Sequence, residues 1–316
     1  MLSRTAESLY WLGRYIERAE NMARIIDVSH RLEAQGRVHG RTESEWNAVL
    51  TILSAQERYA DTHGSVDQDG VTAFVTLDQG NPSSIWNCVR AARENARALR
   101  ATISSELWEC VNATWLGLRD LDMGTIQARG VREFLEWVRE RSHQFRGVAH
   151  GTMLHNEAFA FNRLGTFIER ADNTARLLDT KYSMLAPDTG EGANADPAAA
   201  YYEWGAVLRS VSAFRAYHQV YKDVITSERV AEMLVLRADM PRSLRFCFDQ
   251  VTSHLEGLGG GRQLECERLA GEFGARLRYG RMERILDYGL HPFLDEAMGH
   301  IADISTHISR DFLMTV

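Results

Sequence analysis

An internal repeat constrains this 316-residue chain more than any other feature of its sequence. Segment 12–27 aligns with 164–179 at an offset of 152 residues, and 10 of the 16 aligned positions are identical. The period is far longer than the roughly 20–50 residues of solenoid repeats. We therefore predict two homologous halves, 1–147 and 150–316, that pack as one compact unit with pseudo-two-fold symmetry. Further matches follow in the same order: 46–50 with 204–208, Pro82 with Pro241, Ser84 with Ser243, and Cys88 with Cys247.

The apolar residues of the first copy recur at spacings of three and four, as on one face of a helix. They are Leu9, Leu12, Ile16, Ala19, Ala23 and Ile26. No long stretch alternates with the period of two that a strand requires. We predict an all-α fold, an internally duplicated helical bundle whose homologous halves have about six helices each. The predicted helices span roughly 4–35, 43–60, 70–79, 82–104, 106–120, 130–147, 150–185, 200–222, 227–238, 241–257, 262–279 and 281–311.

Polar residues differ less between the two copies than apolar ones. Tyr15 aligns with Phe167, for example, whereas most charged residues and the amide align with identical residues. A solvated face should show the opposite trend, because surface substitutions cost little stability. The retained polar groups are therefore expected to be at least partly buried and paired. They are Glu17, Arg18, Asn21 and Arg24 in the first copy and Glu169, Arg170, Asn173 and Arg176 in the second.

Two interpretations of these polar residues stay open, and both can hold together. In the first, Glu17 and Glu169 join arginines of the opposite copy in a buried network near the pseudo-dyad. Adjacent residues project about 100° apart on a helix, so Glu17 cannot easily pair with its neighbour Arg18. In the second interpretation, the same groups line a polar cleft between the halves and bind a charged ligand.

A metal site is a further alternative for the same helices. Glu17 and Glu20 are three residues apart, as are Glu169 and Asp172. Two such carboxylate pairs on two helices are suited to Mg²⁺ or Mn²⁺. Neighbouring arginines would add positive charge to that site, so no cofactor is predicted from these residues.

A second cluster lies on the predicted helix 82–104, where arginines recur every three or four residues. The cluster comprises Arg90, Arg93, Glu94, Asn95, Arg97 and Arg100. An arginine stripe can bind phosphate or carboxylate groups of a ligand or partner. It can equally be a solvated face that nearby glutamates balance. The second half lacks this stripe, so we expect the halves to differ in function.

Composition and targeting signals favour a cytoplasmic protein. The formal net charge of −7 disfavours a generally basic nucleic-acid binder. No apolar run approaches the 18 residues of a membrane span, and Glu7 interrupts the place where a signal peptide would be apolar. The four cysteines lack zinc-ligand spacing, and we expect them to be reduced and mostly buried. They are Cys88, Cys110, Cys247 and Cys266.

Several motifs resemble the bacterial Alpha-E family, which is named for its helices and a Glu-Arg motif. They include 9–20, 81–85, 92–97, 106–109 and 164–179, so the resemblance spans essentially the whole chain. The resemblance implies company with ATP-grasp-type ligases and transglutaminase-like proteins, and hence a system that makes or modifies amide bonds. The pairs Glu17-Arg18 and Glu169-Arg170 match the namesake motif, for which the resemblance implies no catalytic role.

Three functions remain open at the level of sequence. The first is an accessory or co-catalytic partner of an ATP-grasp-type ligase, which docks or binds an acceptor through the arginine stripe or the cleft between the halves. The second is a stand-alone enzyme that uses Glu17 and Glu169 with Arg93 and Arg97 on an anionic substrate. The third is a structural scaffold. The sequence shows no recognisable nucleophile or metal motif, which favours the first.

Overall fold

The computed structural model describes residues 1–34, 45–185 and 197–313. All regular secondary structure within these ranges is α-helical, as the periodicity predicts. The helices are α1 (Ser3–Ala34), α2 (Glu45–Ile52), α3 (Gln56–Ala60), α4 (Gln68–Thr76), α5 (Ile85–Ala98), α6 (Ser105–Leu118), α7 (Met123–Arg129), α8 (Val131–Thr152), α9 (Glu157–Leu185), α10 (Pro197–Ser210), α11 (Phe214–Tyr221), α12 (Ser227–Val235), α13 (Leu244–Gly259), α14 (Glu265–Tyr279), α15 (Met282–Tyr288) and α16 (Leu290–Phe312).

Helices α1 and α9 carry the two repeat segments and form the centre of the fold, where they contact each other more extensively than any other pair. They run in the same direction, since the Asn162 side chain donates to the Leu9 carbonyl and Arg170 binds Glu17 further along both helices. A Cβ on Gly13 would collide with the Asn162 carbonyl oxygen, and one on Gly165 with the Tyr10 carbonyl. The repeated glycines therefore let the two backbones touch.

The remaining long helices pack around this central pair. Helices α5 and α8 lie against α1 with α6 between them, and α13 and α16 lie against α9 with α14 between them. The buried apolar side chains form a single continuous core. Burial stabilises each large apolar side chain by roughly 1.5–3 kcal/mol, which fixes α1 and α9 in place.

The helix predicted to start at residue 82 begins instead at Ile85. The sequence Asn81-Pro82 is typical of an N-cap followed by proline at the first helical position. The Ser84 hydroxyl instead accepts from the Asn87 backbone N–H at 3.2 Å, so Ser84 is the N-cap. Ser243 caps α13 in the same way. Helix α5 ends at Ala98, which places Arg100 in the following turn.

Sixteen helices occur in the described ranges where twelve are predicted, eight on each side of residue 155. The estimate of about six helices per half is therefore wrong. Predicted helices 43–60 and 200–222 each break at a serine with positive φ, Ser54 at 49° and Ser212 at 57°. A residue with positive φ also separates α7 from α8 and α15 from α16. Both residues are glycine, because other L-residues rarely adopt this conformation.

One predicted boundary also differs from the structure. Helix α8 continues through Thr152, so the boundary predicted between residues 147 and 150 falls inside a helix. Residues 187–197, whose prolines, glycines and acidic residues are typical of a linker, lie outside the described residues except for Pro197, which begins α10. In the part of the chain that the structure describes, no helix combines the length and apolarity that crossing a bilayer requires.

Candidate functional site

Ion pairs join α1 and α9 in both directions, next to the point where Gly13 and Gly165 let the two backbones touch. Arg170 donates from Nε and Nη2 to the two carboxylate oxygens of Glu17, each at 2.9 Å. Arg18 donates from Nε and Nη2 to the two oxygens of Glu169, at 2.6 and 2.9 Å. Each glutamate of the repeated Glu-Arg motif therefore binds the arginine of the other motif, in the bidentate geometry that favours Arg over Lys.

Additional arginines complete the environment of each glutamate. Arg242 Nη1 lies 2.9 Å from Glu17 Oε1, and Arg146 Nη1 lies 3.2 Å from Glu17 Oε2. On the other side, Arg14 Nε donates to Glu169 Oε2 at 2.8 Å. Glu17 is only 1% exposed, and a carboxylate buried to this extent is stable in ionised form only when such partners surround it.

Glu20 is a second buried acceptor on α1, one helical turn after Glu17. Its Oε1 accepts from Arg24 Nε and from Arg242 Nη2, both at 2.8 Å. Its Oε2 accepts from the Ser142 hydroxyl at 2.6 Å and from Arg146. Arg242 and Arg146 thus each bridge Glu17 and Glu20, which makes one continuous network.

Burial by itself would raise the pKa values of these carboxyl groups, but the guanidiniums outweigh it. The charges of Arg170 and Arg242 lower the pKa of Glu17 to about 2. Arg18 and Arg14 lower the pKa of Glu169 to about 2 in the same way. Both groups are therefore ionised at neutral pH and poorly suited to proton transfer, since a general acid or base works best with a pKa near the working pH.

The remaining motif residues extend the network outward. Arg24 Nη1 donates to Ser212 Oγ at 2.7 Å, and Arg176 Nη1 donates to Ser54 Oγ at 2.9 Å. The two positive-φ serines are thus bound by arginines of the opposite half. Arg176 also pairs with Asp172 through Nε at 2.9 Å.

The two amides of the motif differ in their surroundings. Asn21 is 3% exposed and accepts from Arg242 Nη1 at 2.8 Å, while its amide nitrogen has no hydrogen-bond partner among the described residues. Asn173 is half-buried. It lines a cavity of about 210 Å³ together with Arg18, Ser83, Glu169, Asp172 and Arg176.

The metal alternative meets an unfavourable donor set. Glu17, Glu20, Glu169 and Asp172 all accept from guanidiniums, so a divalent cation would have to displace arginines. Within the described ranges, no three His, Cys, Asp or Glu side chains form a group that would hold a metal ion. The cysteines are equally unsuited to nucleophilic work, since burial raises the pKa values of Cys88 and Cys247 to about 12.

The arginine stripe lies on the outer face of α5. Arg90 and Arg97 are exposed, and Asn95 is half-buried. Arg90 stacks over the Trp86 ring at 5.0 Å. Glu94 is the acidic partner within the stripe, and it lies 2.6 Å from Arg93 and 3.4 Å from Arg97.

Arg100 lies outside the helix but remains beside the stripe, because its guanidinium stacks over the Trp108 ring at 5.1 Å. Arg93 lies over the same ring at 5.9 Å and donates to Asn112 at 3.2 Å. The stripe is thus a partly stacked cationic surface in which one glutamate opposes four arginines.

Several residues of the network could not be predicted from the sequence. The motif Pro-x-Ser occurs at position 82 and again at position 241, with Ser83 as its middle residue in the first copy and Arg242 in the second. This difference is the only sign of Arg242 in the sequence. Arg146, Ser142 and His143 come from α8, and no repeat or spacing marks them. Their position depends on how α8 packs along α1.

Comparison with known proteins identifies a family. A family model named Alpha-E, described as a predicted alpha-helical domain with a conserved ER motif, matches residues 1–313. Uncharacterised proteins of Mycobacterium bovis and Mycobacterium tuberculosis are 24% identical in an alignment of 303 positions that covers 89% of this chain. The chain spans about a third of the length of these curated relatives (33%). No solved structure matches the chain.

Proposed function

We propose that this chain, which belongs to the Alpha-E family, is an accessory or co-catalytic partner of an ATP-grasp-type ligase in an amide-bond-forming system. The central observation is the saturation of its buried acids. Glu17, Glu20 and Glu169 each accept from two or more arginines. Groups held in this way build a rigid frame rather than a proton-transfer site, which favours binding over catalysis.

The arginine stripe of α5 is the proposed docking surface for the ligase. Its exposed guanidiniums outnumber its acids, although the whole chain is acidic. Stacking on Trp86 and Trp108 holds them in defined positions, which lowers the entropy lost when they bind a partner's carboxylates. The second half has no such stripe at the aligned positions, so one ligase is expected per chain.

We also propose that the fold arose by internal duplication and has pseudo-two-fold symmetry. The support comes from matched local structure at aligned positions. Ser54 and Ser212 share positive φ, as do Gly130 and Gly289 at 105° and 108°. The compartment is proposed to be cytoplasmic, where the four buried cysteines remain reduced.

The docking proposal is tested by co-purification of the full chain with a co-expressed ATP-grasp-type ligase. The variant Arg93→Glu/Arg97→Glu should lose the ligase, because it reverses the charge of the stripe. Arg129→Glu/Arg132→Glu makes the same charge change at exposed sites of the same half and should retain it. A transglutaminase-like protein serves as a second bait.

Two results would contradict the proposal. The first is ligase binding that is equal in the stripe variant and the control. The second is turnover of a nucleotide or acyl phosphate by the purified chain alone with Mg²⁺ or Mn²⁺, abolished by Glu17→Gln at an unchanged melting temperature. The second result would support a stand-alone enzyme instead.

A further inference from the structure

Arg242 fills a defined polar position in the second half of the chain. It is 5% exposed, and its guanidinium contacts three acceptors on α1. Nη1 donates to Asn21 Oδ1 at 2.8 Å and lies 2.9 Å from Glu17, and Nη2 donates to Glu20 at 2.8 Å. These three acceptors therefore form a site for a planar cation, and the chain supplies that cation itself.

The position aligned with Arg242 in the first half carries no cationic side chain. Ser83 stands where Arg242 stands, one residue before the N-cap serine of the following helix in both cases. The residues aligned with the three acceptors are Asn173, Glu169 and Asp172, and all three line the 210 Å³ cavity together with Ser83. The short serine side chain leaves the space that the guanidinium occupies in the other half.

This position also differs from its counterpart in having one arginine fewer and an amide without a partner. Four arginines contact Glu17 and Glu20, whereas three contact Glu169 and Asp172, namely Arg14, Arg18 and Arg176. The Asn173 side chain has no hydrogen-bond partner among the described residues. The cavity, with a volume of about 210 Å³, leaves room for a small ligand beside these groups.

We infer that this cavity binds a small ligand whose guanidinium or ammonium group takes the place that Arg242 takes in the other half. Asn173, Glu169 and Asp172 accept from that group. Arg18 and Arg176 also line the cavity, but they are paired with Glu169 and Asp172. Two further donors there are not paired with an acid among the described residues: exposed Arg58, and Asn21, whose buried amide nitrogen lacks an acceptor. They match a carboxylate on the same ligand, so the ligand class is a basic amino acid such as arginine.

The same ligand would be the amine-bearing acceptor of the amide ligase. That assignment rests on the proposed function, whereas binding to the cavity does not. The two are therefore tested separately, since the titrations below contain no partner protein.

Titration calorimetry of the full chain with L-arginine, agmatine and inorganic phosphate tests the inference. L-arginine should bind with one site per chain, and agmatine, which lacks the carboxylate, should bind more weakly. Ser83→Arg should weaken arginine binding at least about tenfold, because its side chain fills the cavity as Arg242 does. Ser253→Arg adds the same charge at an exposed position of α13 and should leave the affinity unchanged.

Asn173→Ala provides a second variant that keeps the fold, since it removes a side chain without described partners, and it should also weaken arginine binding. The inference is overturned if both variants bind arginine as the unmodified chain does. It is equally overturned if phosphate binds and arginine does not, or if arginine shows no binding up to about 10 mM. Agmatine affinity equal to that of arginine would overturn the assignment of Arg58 and Asn21 to a carboxylate.

Discussion

Glu17 is ionised inside the protein because guanidiniums on three different helices or turns contact it. Arg170 comes from α9, Arg146 from α8, and Arg242 from the turn before α13. Removing one partner of such a network leaves the others buried without compensation, which costs more than the pair contributes. The network therefore makes correct packing of α8, α9 and α13 on α1 a condition of stability.

Glu17→Gln is expected to lower the free energy of unfolding by about 3–5 kcal/mol at pH 7, because it strands buried arginines. The folded-state pKa of Glu17 is about 2, below the ordinary value of 4.5. Its stabilisation is therefore complete above about pH 4.5 and is lost as the pH falls towards 2. Urea unfolding at several pH values should show the difference between variant and unmodified chain shrinking across that window.

The matched control for this measurement is Glu94→Gln. Glu94 is exposed on α5 and pairs with Arg93 and Arg97, so its loss should cost less than about 1 kcal/mol. A cost for Glu17→Gln as small as that of the control would show that the central network contributes little to stability.

At the scale of elements, the repeat segments supply both the close contact and the ion pairs between α1 and α9, within neighbouring turns. The glycines bring the backbones into contact, and the Glu-Arg pairs one turn later bind across the gap. The spacing of four residues between Gly13 and Glu17, and between Gly165 and Glu169, places both features on one face. Close approach is what makes the bidentate pairs geometrically possible.

Gly13→Ala and Gly165→Ala should each destabilise the protein by about 1–3 kcal/mol, typical of overpacking, because the added methyl meets backbone that cannot rotate away. Gly147→Ala in α8 is the control, since a Cβ there has open space. It should instead stabilise the helix by about 0.5–1 kcal/mol. Thermal melts that show the same sign for all three variants would contradict the close approach.

At the scale of the molecule, helices α1–α8 and helices α9–α16 share one core, and side chains of each set contact the other set. Arg24 reaches Ser212 and Arg176 reaches Ser54, in addition to the central pairs. The motif arginine that binds each Glu-Arg glutamate comes from the other set, since Glu17 pairs with Arg170 and Glu169 with Arg18. Each set is incomplete without the other.

Residues 1–152 and 157–316 expressed separately should therefore fail to unfold cooperatively, because each exposes an apolar interface and unpaired buried charges. Co-expression of the two pieces should restore a single cooperative transition by circular dichroism. Cooperative melting of either piece alone would show that the halves are independent domains.

The sequence by itself determined the helical class, the repeat and the identity of the polar residues that the two copies share. Those properties are local or come from alignment of the chain with itself, so they need no coordinates. The periodicity did not reveal the breaks at Ser54 and Ser212, because one residue with positive φ ends a helix without disturbing the apolar pattern.

Only the tertiary structure decided which guanidinium meets which carboxylate and where space remains. Arg242 and Arg146 are far from Glu17 and Glu20 in sequence, and packing alone brings them together. The same packing leaves the place aligned with Arg242 open beside Ser83. A cavity depends on how side chains from several helices fill a shared volume, and the pattern of a single helix does not contain that information.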